Sequence, residues 1–265
     1  MIHKQAVLKL EKKPGETPLE CLNRFKVENP EYEKEKMTYA GRLDPLASGV
    51  LLVLTGEECK KKEKYLNLDK EYELTILFGF GTDSMDVLGM IENEKEGAIE
   101  TLGNYKKADF EKLLKKFEKT FQQKYPRFSS KTVKGKSLFE IAKEEGIEEA
   151  DLPVKEVEIK KIAFKSFGLV SKKYLFDFIL EAVFSVKGNF RQNMIWAKWE
   201  KTLADFPDQN FPTLTIIVNC TSGTYMRSLA QAIGTEIGLP ALALKIKRTM
   251  LYFPSRRCSR GFKQV

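Results

Sequence analysis

Two stretches of this chain alternate apolar and polar residues with a period of two, and they constrain the fold more than any other feature. In KEYELTILFGFGTD, residues Tyr72, Leu74, Ile76 and Phe78 share one side of an extended chain; in TLTIIVNC, Leu214, Ile216, Val218 and Cys220 do the same. That spacing belongs to a β-strand with one buried face, so the chain is built on a sheet. The run VLLVL (50–54), bounded by Gly49 and Gly56, is continuously apolar and reads as a buried strand. AVLKLEK predicts a further strand near the N-terminus, and 157–165 and 174–186 predict two more. Helical signals lie between them. Thr17, Pro18 and Glu20 supply an N-cap, a first helical position and a capping-box partner, followed by the apolar face Leu19, Leu22 and Phe25. Phe110, Leu113, Leu114, Phe117 and Phe121 predict a helix over 108–121. NFRQNMIWAKWEKTLADF predicts another, and TYMRSLAQAIGTEIG a third, with Leu229, Ile233 and Ile237 inward and Gly238 as its C-cap. The elements are interspersed without a regular βαβ rhythm, repeat or linker, which predicts a single α+β domain.

At 265 residues the chain can bury a substantial core, and 42% hydrophobic against 31% charged residues is too apolar for intrinsic disorder. Forty-five basic and thirty-seven acidic residues give a net charge of +8, which suits a polyanionic partner and suits a lysine-rich soluble protein equally well. Cys21, Cys59, Cys220 and Cys258 are far apart and form no C-x-x-C pair, so neither a disulfide framework nor a zinc site is signalled; a reducing cytoplasm is expected. No apolar run approaches the ~20 residues of a membrane span, so no membrane association is expected. The N-terminus lacks the apolar core of a signal peptide. The single histidine is His3, so Ser-His-Asp or Cys-His catalysis would depend on that residue alone, and a His-rich metal site is excluded. Carboxylate, tyrosine, lysine or arginine must carry any chemistry.

Several motifs fail on inspection. Gly79-Phe80-Gly81 lacks the third glycine of a dinucleotide fingerprint. Gly135-Lys136-Ser137 ends like a phosphate-binding loop, but Ser130 stands where its first glycine is needed. Asp83 and Asp86, in a glycine-flanked loop, read as solvated turn formers rather than magnesium ligands.

Three polar residues sit awkwardly in their local settings. Asp44, in GRLDPLASG, precedes a proline that biases it away from helix, and alone it reads as an Asp-Pro turn. Tyr72 shares a face with core residues and reads as a buried tyrosine whose hydroxyl needs a partner. Arg227 opens a helix, where its charge opposes the macrodipole; it prefers a carboxylate partner, and alone it reads as half of a surface ion pair.

Taken in order, the blocks around these residues resemble the pseudouridine synthases, and most closely the TruB-type tRNA pseudouridine-55 synthases. Lys13-Pro14 with Gly15 resembles K-P-x-G, one residue short. GRLDPLASGVLLVLTGEECK resembles G-x-L-D-P-L-A-[ST]-G-x-L, and KEYELTILFGFGTDSMDVLG resembles K-x-Y-x(6)-G-x-x-T-D-T-x-D-x-x-G with Ser84 for Thr. QKYPRFSSKTVKGKSLFEIA is similar to the family's Q-x-P-P-x-[YF]-S-A block, CTSGTYMRSLA to C-x-K-G-T-Y-[IV]-R-x-L with Ser222 for Lys, and KIKRT to L-[RK]-R-T.

The resemblance implies a pseudouridine synthase-like catalytic domain over residues 1–253: a mixed, largely antiparallel central sheet with flanking helices. It also implies an isomerase that converts uridine to pseudouridine, at uridine 55 in the T loop of tRNA, without cofactor or metal. Asp44 carries over as nucleophile, Arg227 as its ion-pair partner, and Tyr72 as the tyrosine that stacks on the base with its hydroxyl placed for proton removal at C5. Ile246 carries over as the apolar residue supporting the base from its other face. The target base must be flipped out of its stack, and phosphate contacts from lysines and arginines, with the 123–137 loop and the tail as candidates, would offset that cost. Tyr39 stands where many bacterial members have histidine in the base-flipping loop. Arg42 is more typical of ribosomal-RNA branches, where the arginine fills the space left by the base. An insertion is expected at about 168–212, with its Trp196 and Trp199 read as packing residues. A basic tail over 254–265 and no PUA domain are expected. The expected partner is the tRNA T arm, with no obligate protein partner. Two alternatives stay open: a synthase for another RNA, such as ribosomal RNA, and an inactive RNA-binding or RNA-folding protein.

Overall fold

The computed structural model describes residues 5–144, 147, 151–254 and 262–264. His3 and Cys258 lie outside them, as does most of the 254–265 tail. The first half contains β1 (Val7–Lys12), α1 (Pro18–Glu28), β2 (Met37–Ala40), β3 (Ser48–Thr55), α2 (Lys62–Leu66), β4 (Asp69–Phe78), β5 (Phe80–Thr82), β6 (Ile91–Glu94), α3 (Ala98–Leu102), α4 (Lys107–Lys115) and β7 (Thr120–Lys124). The second contains β8 (Thr132–Val133), β9 (Lys136–Ser137), α5 (Leu138–Glu144), β10 (Val154–Ser171), α6 (Lys172–Ser185), α7 (Gln192–Asp205), β11 (Asn210–Cys220), α8 (Met226–Glu236), β12 (Ala241–Pro254) and β13 (Phe262–Gln264).

Among the described residues the central sheet has nine strands in the order β1-β3-β12-β4-β11-β10-β7, with β2 on β3 and β13 on β12. Its one parallel pairing joins β12 to β3 over Lys247↔Ser48 and Arg248↔Gly49; the rest are antiparallel. The expected mixed, largely antiparallel sheet with flanking helices is therefore present. Period two decides which face each β4 residue takes. Tyr72, Leu74, Ile76 and Phe78 join a cluster with α3, α4 and α8, while Leu77 turns to the opposite face, beneath α6 and α7. In VLLVL the last four residues are buried and Val50 is half-buried: Leu51 and Val53 face α1, and Leu52 and Leu54 face Leu68 and Leu251.

Local signals explain the helix boundaries that matter. Thr17 caps α1, with Glu20 completing a reciprocal capping box. Gly238, at φ 73°, ends α8 in the left-handed conformation that glycine adopts without strain.

Three expectations need correction. Residues 174–186 are helix α6, not a strand. Leu175, Ile179, Ala182 and Val183 bury a stripe at helical spacing, and Ser171 caps the start by accepting from the Tyr174 amide at 3.1 Å. The period is hidden because Leu180 and Phe184, on the outer side, are apolar and exposed. The 108–121 helix ends at Lys115; Phe121 belongs to β7, paired with Val157, and no glycine or proline marks the break. Strand β12 has no counterpart among the expected strands, because bulges at Ala243/Lys245 and Arg248/Met250 break its alternation. Residues 168–212, the expected insertion, form the end of β10, the α6–α7 hairpin and the start of β11. Trp199 is fully buried there and Trp196 meets Phe176 edge-on at 4.8 Å, so packing is what both tryptophans do. Among the described residues no helix is long and apolar enough to cross a membrane.

Candidate active site

Asp44 lies on the loop between β2 and β3, and two buried cations hold that loop by its carbonyls. The Lys12 ammonium donates to the carbonyls of Lys13 (3.0 Å), Pro45 (2.9 Å) and Ala47 (2.6 Å). Arg248, fully buried, donates from Nε to Val50 O (2.7 Å), from Nη2 to Gly41 O (3.1 Å) and from Nη1 to Arg42 O (3.5 Å). A buried charge without such partners would cost several kcal/mol, so the loop and its cations stabilise each other. Burial lowers the Lys12 pKa to about 8, against the opposing pull of Glu16, Cys21 and Asp44. Gly49 lets β3 approach closely: at φ 98° its missing Cβ would overlap the Arg248 backbone. Asp44 is a turn residue too, since its carbonyl accepts from the Ala47 amide at 3.0 Å. Its carboxylate does something else.

Arg227 Nε donates to Asp44 Oδ2 at 2.8 Å; the guanidinium is 3% exposed and the carboxylate side chain 36%. This is not a surface ion pair. The arginine is anchored from behind, with Nη1 donating to Ser84 O (2.9 Å), Nη2 to Phe128 O (3.2 Å) and the Asp86 carboxylate 3.6 Å from Nε. Burial alone would lower its pKa, but Asp44 and Asp86 outweigh that and raise it. A cation in the first turn of α8 opposes the helix dipole, and these acceptors offset the cost. The start of α8 is itself fixed by β7: the Gln123 side chain accepts from the Tyr225 amide (2.8 Å) and donates to its carbonyl (3.2 Å).

Tyr72 sits on β4 between its cross-strand neighbours Val218 and Arg248, on the face that packs against Leu43 and Ala47. Burial raises the phenol pKa, and the charge of Arg248 opposes the shift. Ile246 pairs with Leu74 next along β12 and is half-buried against the same cluster. Asp44 and Arg227 thus touch, with Tyr72 and Ile246 on the adjoining sheet face.

Tyr39 and Arg42 do not join them. The Tyr39 ring packs on the separate cluster of Leu8, Leu10 and Val53, with Lys62 Nζ 5.5 Å from its centroid. Arg42 is exposed and meets Arg248 only through its carbonyl. A cavity of about 370 Å³ opens on the other side of the sheet, lined by Leu46, Ser48, Thr75, Phe178 and Leu244; Ile246 also lines it, while Asp44, Tyr72 and Arg227 do not.

Other residues at the site escaped the sequence reading. Asp86 is no solvated turn former: it is 6% exposed, accepts from Ser84 Oγ (2.6 Å) and the Leu88 amide (2.9 Å), and burial raises its pKa against the pull of Arg227. Asp83 turns away to the Met90 amide (2.9 Å) and to Arg191 (2.9 Å). Arg248 carried a usable signal, since it lies two residues beyond Ile246 in a strand and so shares its face. Lys12 carried none, because its acceptors come from another segment. Where the family pattern has lysine, Ser222 donates to Leu66 O (2.6 Å), and Lys155 from β10 brings an ammonium to Ser222 O at 2.8 Å.

This arrangement orients a carboxylate at an accessible position beside a tyrosine. Comparisons with known proteins show what the whole chain resembles. A tRNA pseudouridine synthase B from Bacillus pumilus is 30% identical over 243 residues, covering 92% of this chain and 64% of its own length. One from Parabacteroides distasonis is 28% identical over 239 residues, 89% of this chain and 80% of its own. This chain therefore spans less than two thirds of the Bacillus relative. Among solved structures, a Cbf5-Nop10-Gar1 complex contains a chain that matches 92% of this one at a TM-score of 0.53 and 19% identity, with 48% of that chain covered; this likeness is one of fold. Residues 30–182, more than half of the chain, match the TruB family pseudouridylate synthase (N terminal domain). The chain belongs to the TruB family of pseudouridylate synthases.

Proposed function

We propose that the chain isomerises uridine to pseudouridine in tRNA, at uridine 55 of the T loop, with Asp44 as nucleophile. The observation that carries this reading is the 2.8 Å pair between the accessible Asp44 carboxylate and the buried Arg227. An RNA-binding protein without catalysis has no use for a carboxylate held in this way.

The chemistry balances without an added reactant. The N1–C1′ glycosidic bond breaks, the freed uracil turns, and a C5–C1′ bond forms; C5 loses a proton and N1 gains one. Asp44, oriented by Arg227, takes up the developing positive charge at C1′, either by covalent attack or by electrostatic stabilisation. Tyr72 offers its ring to the base and Ile246 supports the opposite side. Because burial raises the Tyr72 pKa, proton removal by its hydroxyl depends on Arg248 stabilising the phenolate. Such a site acts on a base taken out of its stack, at a cost of a few kcal/mol that phosphate contacts offset. The net charge of +8 supplies such contacts. Tyr39 lies outside the Asp44 cluster, so its role at the flipped-out gap requires the RNA to approach across β2. A cytoplasmic location is supported by the free thiols of Cys21, Cys59 and Cys220. The reading takes the chain to work without an obligate protein partner.

The test is pseudouridine mapping in total RNA incubated with the purified chain alone. Modification of tRNA at uridine 55 is expected. Modification confined to ribosomal RNA, the reading that the exposed Arg42 favours, would overturn the substrate assignment, and no modification of any RNA would overturn the enzyme reading.

A further inference from the structure

The α6–α7 hairpin covers the far face of the sheet, yet its tip reaches round to the site. Arg191, immediately before α7, has φ 64°. This left-handed conformation is strained for a non-glycine residue and persists only where contacts hold it. Its guanidinium has two holds: Nη1 donates to Asp83 Oδ2 at 2.9 Å, and Cζ lies 4.4 Å over the Phe128 ring. Asp83 also accepts from the Met90 amide at 2.9 Å, which closes the 83–90 loop. Alongside, Phe190 meets Phe139 at 5.2 Å, Phe139 meets Phe128 edge-on at 6.0 Å, and Lys143 donates to Asn189 O at 3.2 Å. The two segments gripped in this way are the ones that orient Arg227. One carries Ser84 O and Asp86; the other carries Phe128 O.

We infer that Arg191 is a positioning residue for pseudouridine formation: the hairpin tip clamps together the two loops whose acceptors aim Arg227 at Asp44. The inference rests on the proposed function. It assigns the 168–212 segment a part in the reaction beyond packing, through a residue that need not touch the RNA. The ion pair is partly exposed (25% for Arg191, 12% for Asp83), so water screens its Coulomb attraction, and the guanidinium's contact with the Phe128 ring face matters as much.

The experiment is single-turnover pseudouridine formation on a T-arm stem-loop RNA containing uridine 55, with Kd and melting temperature measured for each variant. Arg191→Ala is expected to slow the step by about tenfold to a hundredfold, the scale on which misplacement by an ångström acts, with the Kd for RNA unchanged. Arg191→Lys, which keeps the ion pair and loses the stack, should fall between parent and Arg191→Ala. Asp83→Ala should match Arg191→Ala, and the double variant should lose nothing more. A lower melting temperature with an unchanged rate would show a structural role only and overturn the inference. So would a loss confined to Kd, which would make Arg191 an RNA contact, or multiplied losses in the double variant. An active parent unaffected by Arg191→Ala overturns the inference alone, whereas a parent that modifies no RNA overturns the functional reading and the inference with it.

Discussion

On one face of the sheet, Phe80 meets Trp199, Phe206 and Phe211 at centroid distances of 5.2 to 5.3 Å, inside a cluster closed by α6 and α7. On the other, beyond Tyr72 and Leu43, the interior turns polar: Lys12, Asp86, Arg227 and Arg248 are buried, each with named acceptors or donors. Both regions exclude water. The aromatic face is dry and interchangeable in volume terms, so it contributes stability. The polar face burdens the fold with desolvated charges that hydrogen bonds only offset, and such a burden is retained where it orients something. What it orients is the accessible carboxylate of Asp44.

The sharpest way to break this comparison is to remove a charge from the polar face. Arg227→Ala should cut turnover about 10³-fold, as loss of a dominant electrostatic contact does, while RNA affinity changes far less. A loss of affinity with turnover retained would make Arg227 a phosphate contact and erase the distinction between the faces. The matching change on the dry face is Trp199→Ala. It should cost about 3–5 kcal/mol of stability, read by denaturant or thermal unfolding, with turnover per folded molecule unchanged. A slower chemical step in the folded Trp199 variant would tie the aromatic face to the reaction directly.

A subtler prediction uses pH. Burial lowers both Lys12 and Lys70 to about 8, with Arg248 adding to the shift at each. Above that pH Lys12 loses its charge and one of the three N–H donors that hold the carbonyls of Lys13, Pro45 and Ala47 beside Asp44. Lys70 does the same at Leu66 and Leu68, away from that loop. Turnover should therefore fall with an apparent pKa near that of Lys12. Stability moves the other way. A lysine whose folded pKa lies below the ordinary 10.5 leaves the unfolded chain binding more protons between about 8 and 10.5, so its contribution to stability rises with pH across that window. The melting temperature of the parent should therefore rise relative to Lys12→Met while parental turnover declines. A parallel fall of both quantities would contradict the assignment.

The sequence exposed what local physics decides. Period two located β4 and β11, a reciprocal capping box started α1, and the blocks around Asp44 and Arg227 marked residues that the fold brings within 2.8 Å. What stayed hidden depended on partners distant in the chain. Asp86 looks like a solvated turn residue until α8 places Arg227 beside it. Lys12 sits at the end of a strand, and nothing local announces that the Pro45 and Ala47 carbonyls, more than thirty residues on, will join that of Lys13 around it. The α6 period was masked because its outer face is also apolar, and β12 was masked by its own bulges. Tyr39 shows the converse limit: the motif assigns it a place at the gap, yet its ring rests on a different cluster.

If the buried cations on the polar face present Asp44 as the reacting carboxylate, Asp44→Asn should lose product formation by at least about 10⁴-fold under single-turnover conditions, the scale on which removal of a nucleophile acts, with RNA binding and melting temperature retained in the same preparation. Product formation at the parental rate in the folded variant would contradict it.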